Sequence, residues 1–450
     1  MRIPNPAKKN EHGVTVLIVG ITLLVLMAMA ALAIDVASLY EFRSEAQRTA
    51  DAAALAGAKM FVTSSYTSTT ALTFSDVCQN QASGPGLDAA VNKQAAAAVL
   101  VNRIAGQPGV IKSIQCTNTN PLNPRVTVVV QSATSPAFFS RIWVASNTVT
   151  ATATAEAYNA SGRNLPIGLT NVKPWLIPNC DPGGSSGPCL GSDGYFIDPA
   201  NGNIRNPTSF IGKTLSLNRQ PSGPVGGHGG TLDFYGLDYP ASPAPSCPSS
   251  GAVSCNSPIN QGDHYIDNIA CTSSLKFYCG QQIGPGSDPL ILIHVESQPL
   301  SGQPTVDGTK CLIHARGNGM DQGQDEFSRN VVPVTIAGGD RNPNPGLQVP
   351  NISRSDSVVT ALLYDGHQMC SDPTSGPGTP NGTCVNVSPQ PTATVIGFLQ
   401  LGIEETNGGQ LLDTVVLNAV GCNPNIAYPP TNPLTAGGSS PIPVRLVQTP

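Results

Sequence analysis

Gly13–Ile34 reads GVTVLIVGITLLVLMAMAALAI, and Asp35–Ala58 continues as DVASLYEFRSEAQRTADAAALAGA. How these two stretches join decides the fold. The first carries no charge and matches the ~20 residues that a helix needs to cross a bilayer. The second is Ala-rich and speckled with charge, and it has no Pro and no Gly before Gly57. Nothing in it stops a helix at the membrane edge. At ~1.5 Å per residue the combined rod is roughly 70 Å long, so about half of it stands clear of lipid. An apolar anchor fused to a rigid stalk suits assembly and positioning better than solution chemistry.

The flanks orient the span. Arg2, Lys8 and Lys9 precede it against Glu11 alone, whereas Asp35, Glu41 and Glu45 follow, mixed with Arg43 and Arg48. The positive-inside rule puts the N-terminus in the cytoplasm and everything after Ile34 outside. A cleavable signal peptide is the rival reading, since Ala28-Met29-Ala30 and Ala31-Leu32-Ala33 fit the small-x-small pattern. The apolar run exceeds the ~7–15 residues of a signal core, and helix continues where a processed junction should be extended. An uncleaved anchor is therefore expected.

All 12 cysteines, from Cys78 to Cys422, lie on the outer side, which reads as disulfides in an oxidising compartment. No C-x-x-C pair exists to suggest a zinc ribbon or a redox site. Cys78/Cys116 is the favoured pairing. Cys180/Cys189, Cys247/Cys255, Cys271/Cys279 and Cys370/Cys384 are close enough in sequence for local loop staples, although connectivity is not fixed by sequence. A net charge of −5 and the lack of any basic run give no footprint for nucleic acid.

The 46 Gly and 41 Pro of 450 residues are concentrated after Gly162, which marks a boundary near 159–166. Before it, residues 35–158 read as one α+β unit. A second helix is expected over Leu87–Ile104, with Ala90, Val91, Ala97, Ala98, Val101 and Ile104 sharing a face. Val110–Cys116 and Arg125–Gln131 form a hairpin, Phe138–Trp143 an aromatic cluster, and Thr148–Ala157 alternates Val/Ala with Thr/Glu as a half-buried strand. A long N-terminal helix backed by an antiparallel sheet is a pilin-like plan. Along the stalk, positions 36, 39, 43, 46, 50, 53, 57 and 60 recur at 3–4 spacing. Ala46, Ala50, Ala53 and Gly57 make the close-packing part of that seam. The seam takes either a helix of a pilus protein or second copy, or the protein's own sheet.

Gly13, the span, Ala33-Ile34-Asp35, Tyr40, Arg43, Gln47 and Ala50–Ala58 resemble the N-terminal signature of the TadG-like (TadE/TadG) Flp pilus-assembly family of the tight-adherence (Tad) system. The likeness covers residues 11–58, and the strand after Phe138-Phe139 is more loosely similar. The resemblance implies an inner-membrane component that helps build or dock a type IV-like pilus on the periplasmic side. One departure bears on cleavage: pilins cut after a Gly carry Glu five residues later, and here that position is Ile18. The von Willebrand A motif Asp-x-Ser-x-Ser of larger relatives is also missing.

From Gly162 onward, short β-type segments (Ile204–Leu217, Leu290–Val295, Val331–Ile336, Val358–Leu363, Thr394–Gly402, Leu411–Val420, Ile442–Val447) alternate with Gly/Pro/Asn loops. Catalytic readings here are weak. His228, His264, His294, His314 and His367 are scattered. Asp321, Asp325 and Glu326 do not fit an EF-hand loop. Gly183–Gly187 matches G-x-S-x-G, but Pro182 and Pro188 flank it and no strand–helix elbow is expected. The fold class expected is α+β: an N-terminal transmembrane helix (13–34, after a stub at 1–12) continuing into a pilin-like helix plus antiparallel sheet (35–158), then a mainly β disulfide-stapled domain (159–450). No catalytic residue, cofactor or metal is assigned. The function expected is non-enzymatic Flp/Tad pilus assembly at the bacterial inner membrane. The partners are the lipid bilayer and, through the Ala-rich helix, pilus-assembly proteins or another copy. A membrane-anchored adhesin and an exported hydrolase are the alternatives.

Overall fold

The computed structural model describes residues 12–80, 88–133, 148–183, 194–219, 227–228, 231–240, 247, 264–284, 291–294, 302–315, 322–339, 342–365, 392–407, 411–437 and 439–448. The main elements are helix α1 (His12–Thr63), helix α2 (Ala90–Val101), strands β1 (Val110–Thr117), β2 (Arg125–Gln131), β3 (Thr150–Ala157), β4 (Val172–Pro178), β5 (Thr214–Arg219) and β6 (Thr231–Asp238), helices α3 (His264–Ala270) and α4 (Gly302–Leu312), and strands β7 (Val358–Tyr364), β8 (Ala393–Asn407), β9 (Leu411–Gly421) and β10 (Val444–Val447).

The apolar and Ala-rich stretches form one helix of 52 residues, ~78 Å at the helix rise. It stops at Ser65, whose φ of 63° is left-handed, and a single 3-10 turn, Tyr66–Ser68, follows. From Phe42 onward one face is inward: Phe42, Ala46, Ala50, Ala53, Ala58 and Phe61 are buried. Small side chains let α2 and the sheet approach closely, and Gly57 is where both meet the helix. A Cβ there would lie 3.3 Å from Val91 Cγ1 and 3.4 Å from Val126 Cγ1. Phe61, Tyr66 and Phe74 stack at the distal end, with centroids 5.8–6.0 Å apart. The Cys78–Cys116 disulfide ties the segment before α2 to β1.

The sheet on this helix is antiparallel, in the order β10-β3-β2-β1. Its fourth strand comes from the end of the chain. Expected as part of the exported domain, β10 instead pairs with β3, Val444 opposite Ala157 and Val447 opposite Thr154. That corrects the alternation expected for β3. Glu156, placed on its solvent side, is buried between the two strands that flank it. Arg445 Nε donates to Glu156 Oε1 at 2.7 Å, and Arg125 Nε donates to Oε2 at 3.0 Å. A buried carboxylate needs such partners.

Residues 172–421 build a second sheet that closes on itself. The order is β8-β7-β4-β6-β5-β9, and β9 pairs back onto β8. The β7–β4 and β6–β5 pairs are parallel and the others antiparallel. Bulges in β8 between Gln400/Leu401 and Ile403/Glu405 supply the local bending that closure requires. Alternate residues Trp175, Ile177, Leu217, Phe234, Leu363 and Leu399 share one core. Their neighbours Leu176, Tyr235, Leu362, Tyr364 and Phe398 belong to the same cluster as Ala50, Phe61 and Val126. The barrel and the pilin-like unit thus share apolar packing. Polar contacts reinforce the joint: Asn418 Nδ2 donates to Val62 O at 2.9 Å, and Asn159 Nδ2 donates to Thr67 O at 2.9 Å and Ala419 O at 3.0 Å.

Several local expectations are corrected. The buried row of α2 is Val91, Ala95 and Val99, an i, i+4 stripe, with Asn92 beside it, whereas Ala97 and Val101 are exposed. The helix stops at Val101, because Arg103–Ile104 pairs with Gln107–Pro108 in a minimal hairpin that turns through Ala105 and Gly106, both at positive φ. On α1, Glu45 accepts the Ala105 N–H at 2.7 Å and Asp51 accepts from Gln47 at 2.7 Å. The strand expected at Val331–Ile336 begins only at Ile336. Two helices, α3 and α4, stand where loops were expected.

Candidate membrane anchor and assembly face

The proximal half of α1 projects from the body as bare apolar surface. Val14, Leu17, Leu24, Met27, Leu32 and Ile34 are each at least half exposed. In water this would be a severe liability; in lipid it is what a span requires. Its internal polar groups suit that setting. Thr22 Oγ1 donates to Ile18 O at 2.8 Å, so the hydroxyl needs no water, and Ser38 Oγ does the same to Ile34 O at 2.9 Å. It is the one helix among the described residues long and apolar enough to cross a membrane. Asp35, the first charge after the run, is buried.

The distal half carries the small-residue seam. Ala46, Ala50 and Ala53 are fully buried, and Gly57 lies against Val91 and Val126. These four residues are therefore taken up by the chain's own α+β unit, Gly57 against α2 and β2. Val36 and Arg43, at the proximal end of the same row, are exposed.

The cysteines join distant segments. Cys247 pairs with Cys271, and Cys279 with Cys422 across 143 residues. This replaces the local pairs Cys247/Cys255 and Cys271/Cys279. Cys271 directly follows α3 beside Cys247, whereas Cys279 sits eight residues on, where the barrel brings it to the end of β9. Cys180 and Cys311 are also disulfide-bonded. Cys189, Cys255, Cys370 and Cys384 lie outside the described residues, as do Phe138–Trp143, Ser185, Asp321 and His367.

A polar cavity of about 530 Å³ opens between the barrel and α3, lined by Lys173, Cys271, His314, Arg354 and Asp356. Lys173 Nζ donates to Cys271 O at 2.9 Å inside the protein. Desolvation pushes its ammonium down to about 7, and Asp356 only partly opposes this. His314 Nε2 lies 3.3 Å from Asp356 Oδ2. That hydrogen bond holds the Asp356 carboxyl below its usual range in spite of burial. Asp325, one of the acids considered for calcium, is instead a buried acceptor for Ser355 and Asn342, and burial raises it. Among the described residues no group of three or more His, Cys, Asp or Glu is placed to hold a metal. Sequence reasoning missed Lys173. A lone charge in the apolar stretch VKPWLIP was the available signal.

Fold and face together define a protein with an exposed N-terminal apolar helix, a pilin-like α+β body on its distal half, and a β-barrel added to that body. Residues 13–60 match the family model Tad, described as putative Flp pilus-assembly TadE/G-like. The match coincides with α1 and supports involvement in Flp/Tad pilus assembly. No curated protein and no solved structure matches the chain.

Proposed function

We propose that this protein is a non-enzymatic, membrane-anchored component of Flp/Tad-type pilus assembly. Residues 13–34 cross the inner membrane with the N-terminus cytoplasmic, and the body, 35–158 with the barrel-bearing 159–450, works on the periplasmic side to organise or dock the pilus. The observation that carries this reading is the coincidence of the family match with one uninterrupted helix. Its first half is bare and apolar, and its second half is locked into a folded body. Disulfides on the outer side of the helix fit an oxidising compartment. A membrane-anchored surface-binding protein is the second reading, supported by the polar cavity around Lys173 and Arg354.

The test is fractionation of native cells, with mass spectrometry of the protein's N-terminus and of what co-purifies with it. The assembly reading expects an intact N-terminal segment in the inner-membrane fraction together with identified pilus-machine proteins. Recovery of a soluble chain that starts near Asp35, without such proteins, would contradict it.

A further inference from the structure

On β4, Lys173 falls on the same face as Trp175 and Ile177, which belong to the barrel core. It stands at the end of the barrel where β4 begins. The parallel neighbour β7 begins at that end too, with Thr360 opposite Val172. The cavity of about 530 Å³ lies there, with Lys173, Leu312 and Val359 in its wall. Barrel mouths, and volumes of ~300–1,000 Å³, are where small ligands bind.

The wall carries cationic donors without enough acceptors. Lys173 is 2% exposed. Cys271 O accepts one of its three N–H groups at 2.9 Å, and among the described residues no other group accepts from it. Arg354 also lines the cavity, and among the described residues it makes no hydrogen bond or ion pair. The charge of Lys59, which lies near Arg354, is of the same sign. Asp356 is the acid on the wall. It is engaged with His314 Nε2 at 3.3 Å and acts on Arg354 and Lys173 only at longer range. The remaining polar groups are neutral, among them Asn171, Thr272, Asn344 and Ser439, and no aromatic ring lines the site. Buried donors left without acceptors are costly, and an oxyanion is the group that satisfies an ammonium and a guanidinium together.

We propose that this cavity binds a small hydroxylated molecule bearing a carboxylate or a phosphate, its oxyanion held by Lys173 and Arg354. The neutral polar wall suits the hydroxyl groups and disfavours an alkyl chain. Burial lowers the Lys173 ammonium to about 7, so at higher pH the amine gains a proton as the anion arrives. The inference rests on neither reading given under Proposed function, since the cavity belongs to the folded body in both.

Titration calorimetry of the full chain in phosphatidylcholine nanodiscs tests this, with gluconate, glycerol 3-phosphate and glucose as probes. Measured near pH 8 in two buffers of different ionisation enthalpy, the proposal expects anion binding with uptake approaching one proton. Glucose should not bind. Arg354→Gln should weaken anion binding about tenfold or more and keep the uptake, whereas Lys173→Met should weaken it comparably and abolish the uptake. Neither change threatens the fold: Arg354 is exposed, and Met keeps the volume of the lysine. Binding of one anion alone would bear the proposal out and name its class, carboxylate or phosphate. Glucose binding as tightly as gluconate would overturn it. So would no binding of either anion at ~10 mM, where even a Kd of ~1 mM is detected. Equal heats in the parent and both variants would mark an adventitious ion only, and overturn it as well. None of these failures touches the anchor or the pilus reading.

Discussion

At Lys173 the fold buries an ammonium group. Its folded value of about 7 lies below the 10.5 of the free side chain. The stability linked to this group is therefore fully present above pH 10.5, is lost as pH falls toward 7, and is flat below that. Lys173→Met removes the desolvation penalty and keeps the volume. The variant should be more stable than the parent near pH 7, by on the order of a few kcal/mol, with the gain shrinking as pH rises toward 10. Thermal melts across that range check this; equal pH slopes in the two proteins would refute it. Gly57 and Glu156 mark opposite limits of reading residues from sequence. Gly57 was legible as a close-packing position in a helical seam, although the seam alone left open whether its own chain or another molecule packs there. Glu156 was not, since its burial depends on a strand nearly 300 residues away that brings Arg445 to it. Lys173 was overlooked for a similar reason: only the closed barrel shows that every residue of Val172–Pro178 is buried.

Among the elements, α1 was legible almost to its ends, because 36 residues from Ile21 to Ala56 contain neither Gly nor Pro and helix propagation is favourable once begun. The strands β1, β2 and β7–β9 follow their alternation or apolar runs. Helix α4 did not announce itself: GQPTVDGTKCL combines two Gly and a Pro, poor formers that only tertiary packing overrides. The local cysteine staples failed because proximity in sequence says nothing about which strand ends a closed sheet brings together. The pairing found, Cys279–Cys422, spans 143 residues and ties the segment before β8 to the end of β9. Replacing both cysteines by Ser should cost about 2–5 kcal/mol. Urea unfolding of the detergent-solubilised chain reads this as a lower midpoint. An unchanged midpoint would mean that the barrel closes equally well without its covalent tie.

For the molecule as a whole, the barrel is built onto the pilin-like unit rather than trailing from it. The chain enters the barrel after β3 and returns to complete the first sheet with β10, and apolar side chains of β4, β6, β7 and β8 pack into the cluster formed around α1. Composition marked a boundary near residue 159, but it could not reveal this return, because four residues at the end of a Gly/Pro-rich region carry little pattern of their own. The consequence is mechanical. A load on the barrel passes through Asn159, Asn418 and the shared core into α1, and from there to whatever holds the apolar half.

If this helix-anchored body serves pilus assembly, as proposed, piliation depends on it. The most direct measurement counts surface Flp pili by electron microscopy in cells lacking the gene. The cells are complemented either with the full chain or with the same body exported behind a cleavable leader in place of residues 1–34. Loss of pili on deletion, rescue by the full chain and no rescue by the exported body is the predicted result. Undiminished piliation in the deletion strain would contradict the claim.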